Sequence, residues 1–284
     1  MQEHIFNRIK ANSPAAKDSL EAKLKEQFQR GPNETDYPHA ELTTEEKEIL
    51  SLIDRETNVL AEHYGGTPKL LGPEHVHLLL DIPKHMSFVE NNAIFSVDTQ
   101  RILLDHAYAG RTRSGFTSAT FHEAIHYKSL LSIQQTKTGD IYPDRIGYSV
   151  NRMTESGTTQ SVFDHINEGI TEELTVRFLL KNYDHPLLSD ESKDEIIEDA
   201  ARQKEREILK ILVREIWKKN RESFNNRVEV FDSFAHGAFS GNILPSLQLV
   251  QRSLGEEVYK TLAIPETDEF QTDRVLAFLK QRYA

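Results

Sequence analysis

His122 and His126, with Glu123 between them in the run Phe121-His122-Glu123-Ala124-Ile125-His126, are the residues whose types and spacing most directly imply chemistry. On a helix the two imidazoles stand one turn apart on the same face and can converge on one ion. Glu123 lies just round the helix from them. A carboxylate there reaches a metal-bound water without ligating the metal, and a metal lowers the pKa of that water to about 7. The implied chemistry is activation of water at neutral pH.

Such a pair works only on a helix that is held in place. Thr117 and Ser118 can cap a helix beginning shortly before His122, and Phe121, Ala124, Ile125, Leu130 and Leu131 supply apolar positions at helical spacing. A second helix is expected from Phe163 to Leu180, where Ile166, Ile170, Leu174 and Phe178 recur every four residues and Glu168 and Glu172 form a parallel stripe. Between the two, Thr136 to Ser161 is polar and glycine-bearing and reads as a cleft-lining loop. Upstream, residues 93–97 and 101–105 read as short strands joined by Asp98-Thr99-Gln100, a hairpin leading through the loop Gly110 to Gly115 toward His122. A strand on the rim of a cleft can bind an extended peptide by taking it on as an added strand.

Zinc sites used for hydrolysis have three protein ligands and one position open to water. Ser132 stands six residues beyond His126, and Ser129 occupies the glycine position of the long histidine-type motif, so no third histidine follows. Glu168 is the best remaining ligand. Two imidazoles and a carboxylate are a recognised catalytic donor set for zinc. At this point the chain resembles the gluzincin group of metallopeptidases, through His122-Glu123-Ala124-Ile125-His126 and Asn167-Glu168-Gly169, over roughly Ala93 to Leu180. The resemblance implies an α+β, mostly helical, zincin-like catalytic domain. It implies one zinc ion on His122, His126 and Glu168, with Glu123 as the general base in hydrolysis of a peptide or protein substrate. It also implies a hydrogen bond from His122 to Glu172, which stands where many such enzymes place Asp.

The oxyanion formed on attack needs a donor beyond the metal. Tyr148, between the two helices, is the first candidate and His236 the second, while His165 is expected to cap or pack. His75 and His77 would share one face of a strand running from His75 to Leu80, and a solvated strand face is the expected explanation for them.

At 284 residues the chain can bury a sizeable core, and its net charge of -11 argues against a broad nucleic-acid surface. The absence of cysteine leaves His, Asp and Glu as the available metal ligands. No apolar run approaches the roughly 20 residues needed to span a bilayer, and Met1 to Arg8 lacks the apolar segment of a secretory signal. A cytoplasmic protein without membrane partners is expected. Residues 1–41 read as an arm, with one helix from Pro14 to Arg30 and breaks at Gly31-Pro32 and Tyr37-Pro38; a prosegment or partner-binding arm is the alternative. An N-terminal subdomain is expected at 42–150 and a helical C-terminal subdomain at 151–284. Thr43 and Glu46 have capping-box spacing ahead of a helix stopped by Gly65-Gly66, and a long helix should begin at Ser189 or Asp190. Two other functions remain open: a non-catalytic, zinc-stapled interaction protein, and a zinc hydrolase acting on a non-peptide substrate.

Overall fold

The structure is a computed structural model that describes residues 6–30, 38–80, 93–97, 99–109, 112–136, 141–154, 158–188, 192–198, 200–265 and 270–283. Gly31-Pro32 and Tyr37 of the arm, Asp98 of the hairpin turn, Gly110 and Arg111 of the following loop, and Ser189 and Asp190 at the expected helix start lie outside these residues.

The described chain opens with β1 (Arg8–Lys10), α1 (Pro14–Arg30), β2 (His39–Ala40) and α2 (Thr44–His63). The start and stop of α2 follow from its sequence. Glu46 N–H donates to Thr43 Oγ1, and Thr43 N–H donates to the Glu46 carboxylate at 2.7 Å. Gly65 then takes a φ of +73°, a conformation that side-chain-bearing residues disfavour.

A 3-10 turn (Pro73–His75) leads into β3 (Val76–Leu79), followed by β4 (Ala93–Ser96), β5 (Arg101–Asp105) and the short α3 (His106–Ala109). These strands pair in the order β2-β3-β5-β4, with β3 parallel and β4 antiparallel to β5. Strands β4 and β5 therefore pair as expected of a hairpin, and among the described residues β4 is an edge strand. His75 and His77 do not form the expected solvated face. His75 belongs to the 3-10 turn, is buried, and accepts from Gly72 N–H while its ring meets Tyr127 edge-on. His77 packs edge-on against His39 of β2, with ring centroids 5.2 Å apart.

The histidine pair lies on α4 (Arg113–Lys128). This helix starts before Thr117 and Ser118: its cap is Thr112, whose Oγ1 accepts from Gly115 N–H at 2.9 Å, and Thr117 is buried within it. Phe116, Phe121, Ala124 and Ile125 are each 2% exposed or less, so tertiary packing rather than propensity stabilises α4. Its last turn is tied down by two lysines. Lys69 Nζ donates to the carbonyls of Tyr127 and Ser129 at 3.0 and 2.8 Å, and the buried Lys128 ammonium donates to Asp54 and Asn58 of α2.

The segment expected as a loop after α4 is largely sheet. Strands β6 (Leu131–Gln135), β7 (Ile141–Ile146), β8 (Ser149–Met153) and β9 (Thr159–Val162) pair in the order β1-β6-β7-β8-β9, with β1 parallel to β6 and the rest antiparallel. Its polar residues suit strands that keep one face toward water. The arm is docked, with Arg8–Lys10 in this sheet and Phe6, Leu20 and Leu24 in the core.

Helices follow: α5 (Asp164–Lys181), α6 (Lys193–Glu198), α7 (Gln203–Lys219), α8 (Arg227–Ser240), α9 (Leu244–Leu254), α10 (Glu256–Leu262) and α11 (Gln271–Tyr283). The expected long helix is thus two, separated by a turn at Ala201 and Arg202. The architecture is mixed α and β with two small sheets, and one hydrophobic core runs from the arm to α11. Residue 150, the expected subdomain boundary, lies inside β8. No described helix is long and apolar enough to cross a membrane.

Candidate metal centre

Two buried helices face each other at the site. Phe121 of α4 stacks on Phe178 of α5 with ring centroids 4.0 Å apart. This contact sets one end of the helix pair. At the other end the chain leaves β9 through Phe163, which holds a left-handed φ of +66° before α5 begins. A bulky residue persists there only when its surroundings enforce it, and Phe163 is buried in the core.

His122, His126 and Glu168 converge, each offering a ligand atom within 4.8 Å of the others. Glu168 Oε2 lies 3.2 Å from His122 Nε2, and Glu168 Oε1 lies 3.4 Å from His126 Nε2. The far side of the His122 ring is also held: Nδ1 is 2.9 Å from Glu172 Oε2, whose side chain is 3% exposed. With Nδ1–H donated to Glu172, Nε2 is left to face Glu168. Two imidazole nitrogens and one carboxylate are donors suited to a divalent transition metal, so the three residues can hold a metal ion.

Burial alone would lower the His122 pKa. Its hydrogen bonds to Glu168 and Glu172, with the charge of Glu123, outweigh burial and raise the pKa to about 10. Burial pushes Glu168 the other way, but the charges and hydrogen bonds of His126 and His122 hold its carboxyl well below the usual range.

Glu123 lies on the cleft side of α4, and its Oε2 accepts from the backbone N–H of Phe95 in β4 at 2.7 Å. That bond shows which way the strand faces. The Phe95 amide points away from β5, and by the two-residue period of a strand the backbone of Ala93 does the same. The free edge of β4 therefore looks into the cleft. The cleft has a volume of about 170 Å³; Ile94 and Phe95 line one wall, Ile146 and Ser149 another, and Asp164 and Arg202 also border it.

The triplet Asn167-Glu168-Gly169 divides into three tasks. Asn167 Oδ1 accepts from Tyr148 N–H at 2.9 Å, which turns its amide nitrogen toward His126 Nδ1 at 3.4 Å. At that length the contact places the ring without fixing which nitrogen carries the proton. Gly147, at a φ of +54°, leaves room for Asn167 Oδ1, which a β-carbon would meet at 2.4 Å. Glu168 is the ligand candidate. Gly169 lets α5 approach α7, since a β-carbon there would sit 2.6 Å from the Glu205 carbonyl oxygen.

Tyr148 does not join the site. It is fully buried, its hydroxyl hydrogen-bonds Ser246 of α9, and burial raises its pKa. His236 is exposed on α8 beside Gly65, and neither residue lines the cleft. His165 packs as expected, buried with Nδ1 3.2 Å from Thr272 Oγ1. The sequence marks Asn167 only as part of its triplet, with no role of its own, and does not mark Arg202. Asn167 directly precedes the ligand candidate, a position that could have drawn attention to it. Arg202 sits 34 residues downstream with no motif around it, yet its Nε lies 3.7 Å from Glu168 Oε2.

No protein-family model, curated protein or solved structure matches the chain.

Proposed function

We propose that the protein is a gluzincin-like metallopeptidase that uses one zinc ion, held by His122, His126 and Glu168, to hydrolyse peptide bonds. The observation that carries this reading is the convergence of those three side chains with Glu123 beside them on the cleft. Zinc, when bound, supplies a Lewis acid that acidifies water and polarises a carbonyl. Glu123 takes the proton of the attacking water and passes it to the leaving nitrogen. The Phe95 amide holds one Glu123 oxygen and leaves the other for that exchange. Glu172 orients His122 and strengthens its donor nitrogen.

Among the described residues Arg202 is the only guanidinium or ammonium group lining the cleft, and we assign to it the stabilisation of the developing oxyanion in place of Tyr148. The inward edge of β4 favours a peptide over another acyl substrate, because an extended backbone can pair with it. A purely structural zinc site would need a fourth protein ligand. Two candidates for it are otherwise engaged, Glu172 with His122 Nδ1 and His165 with Thr272, which supports an open position.

Glu123→Gln tests the reading. It should retain one zinc per chain while the cleavage rate on a mixed peptide pool falls by at least about a hundredfold. Undiminished cleavage by that variant would remove Glu123 from the mechanism. Zinc-loaded wild type that cleaves no peptide would remove the activity.

A further inference from the structure

A second cavity, of about 390 Å³, opens between α5, α7 and α8, on a different face of α5 from Glu168. Its volume falls in the range of small-molecule sites, about 300–1,000 Å³. Its floor is apolar: Leu209, Ile211 and Val213 of α7 are buried there beside Phe231 of α8. Four cations, Arg177, Lys210, Arg214 and Arg227, stand around it against two carboxylates, Glu173 and Glu207. This balance is the reverse of the chain's, whose net charge is -11.

The cations are not equivalent. Arg177 is bonded to Glu173 and stacks 3.9 Å over the Phe231 ring, and Glu173 is also bonded to Arg206, so this side of the wall is ion-paired and fixed. Arg214 is committed to Glu215 and to the Tyr283 carbonyl. Lys210 and Arg227 are exposed, and among the described residues neither makes an ion pair with a carboxylate; Arg227 instead lies over the Trp217 ring at 5.3 Å.

An apolar floor with two cations at its mouth calls for a ligand with an apolar body and an anionic head. We propose that this cavity binds a small amphiphilic anion, of the class of a medium-chain carboxylate, with its chain on Leu209, Ile211, Val213 and Phe231 and its carboxylate on Lys210 and Arg227. A protein partner fits less well, because the cavity is the size of a small molecule. The inference is independent of the metal centre.

Trp217, the chain's single tryptophan, lies beside Arg227 and reports on the site. Decanoate should change its fluorescence saturably, and calorimetry should give the same affinity. Decyltrimethylammonium, with the same chain and the opposite charge, should not bind. Arg227→Glu and Lys210→Glu, both at exposed positions, should each weaken decanoate binding by about tenfold or more with unchanged circular dichroism. The proposal would be overturned by no saturable heat or fluorescence change below the micellar range, by equal binding of the cationic amphiphile, or by wild-type affinity in both variants. A dimer in sedimentation that Arg227→Glu dissolves would overturn it in favour of a second copy of the chain on this face.

Discussion

Gly169→Ala puts two physical effects in opposition, so the sign of its outcome is informative. Alanine in a helix interior is favoured over glycine by about 0.8–1.0 kcal/mol, which alone predicts a stabilised protein. The structure predicts the reverse. A β-carbon at Gly169 would lie 2.6 Å from the Glu205 carbonyl oxygen and 3.1 Å from Leu209 Cβ, where ordinary contact begins at 3.4 Å. The first obstacle is backbone in the opening turns of α7, so it cannot rotate away, and α5 must retreat by several tenths of an ångström. Overpacking of this kind costs about 1–3 kcal/mol. Net of the propensity gain, the variant should lose up to about 2 kcal/mol, seen as a Tm lower by up to about 6 °C in differential scanning calorimetry. Glu168, the preceding residue, moves with the helix, so zinc affinity measured against a chromophoric chelator should also fall, by about tenfold. A variant with raised Tm and unchanged zinc affinity would refute the close approach of α5 to α7 and its role in placing Glu168.

Further outcomes follow from the same geometry. Glu172→Gln keeps a hydrogen-bond acceptor for His122 Nδ1–H but removes the charge, and should weaken zinc binding by about 10–100-fold in chelator competition; an unchanged affinity would mean that the 2.9 Å contact does not tune the ligand. Tyr148→Phe should cost about 1 kcal/mol in denaturant unfolding, through loss of its bond to Ser246, and leave peptide cleavage unchanged; a large fall in kcat would return Tyr148 to the site. In chelator-treated protein the His122 pKa is about 10, above the ordinary 6.5. Its contribution to stability is therefore complete below pH 6.5 and is lost as pH rises through about 10. Zinc must displace that proton, so zinc affinity should climb by up to about tenfold per pH unit from neutral toward pH 10, and a flat profile in calorimetric titration would contradict the raised pKa.

The parts legible in the sequence are those whose signal is local. The helix periodicity around His122, the capping box of Thr43 and Glu46, and the paired runs at 93–105 each depend on neighbours within a few residues, and each is present. The start of α4 was obscured because its cap, Thr112, sits within a glycine- and arginine-rich stretch that reads as loop. Residues 141–153 show no apolar alternation because β7 and β8 are for the most part only half-buried, although their partners β6 and β9 are neighbours in sequence. The arm reads as detachable for a different reason: β1 joins β6 across more than a hundred residues. Within the site, the histidine pair was legible from helical spacing, the convergence of Glu168 on it from the two-part pattern, and the His122–Glu172 contact from the family resemblance alone. Tyr148 was misplaced because proximity in sequence to both helices says nothing of where a side chain points, and Arg202 was missed because only the turn ahead of α7 brings it to Glu168.

The most direct test of the central claim is X-ray absorption at the zinc edge on protein loaded with one equivalent of zinc, repeated for Glu168→Gln. Wild type should show two imidazole nitrogens at about 2.0–2.1 Å, one carboxylate oxygen and one further light atom that exchanges with added ligand, and the carboxylate contribution should disappear from the variant. A zinc shell with fewer than two imidazoles, one closed by a fourth protein ligand, or one indifferent to Glu168→Gln would contradict it.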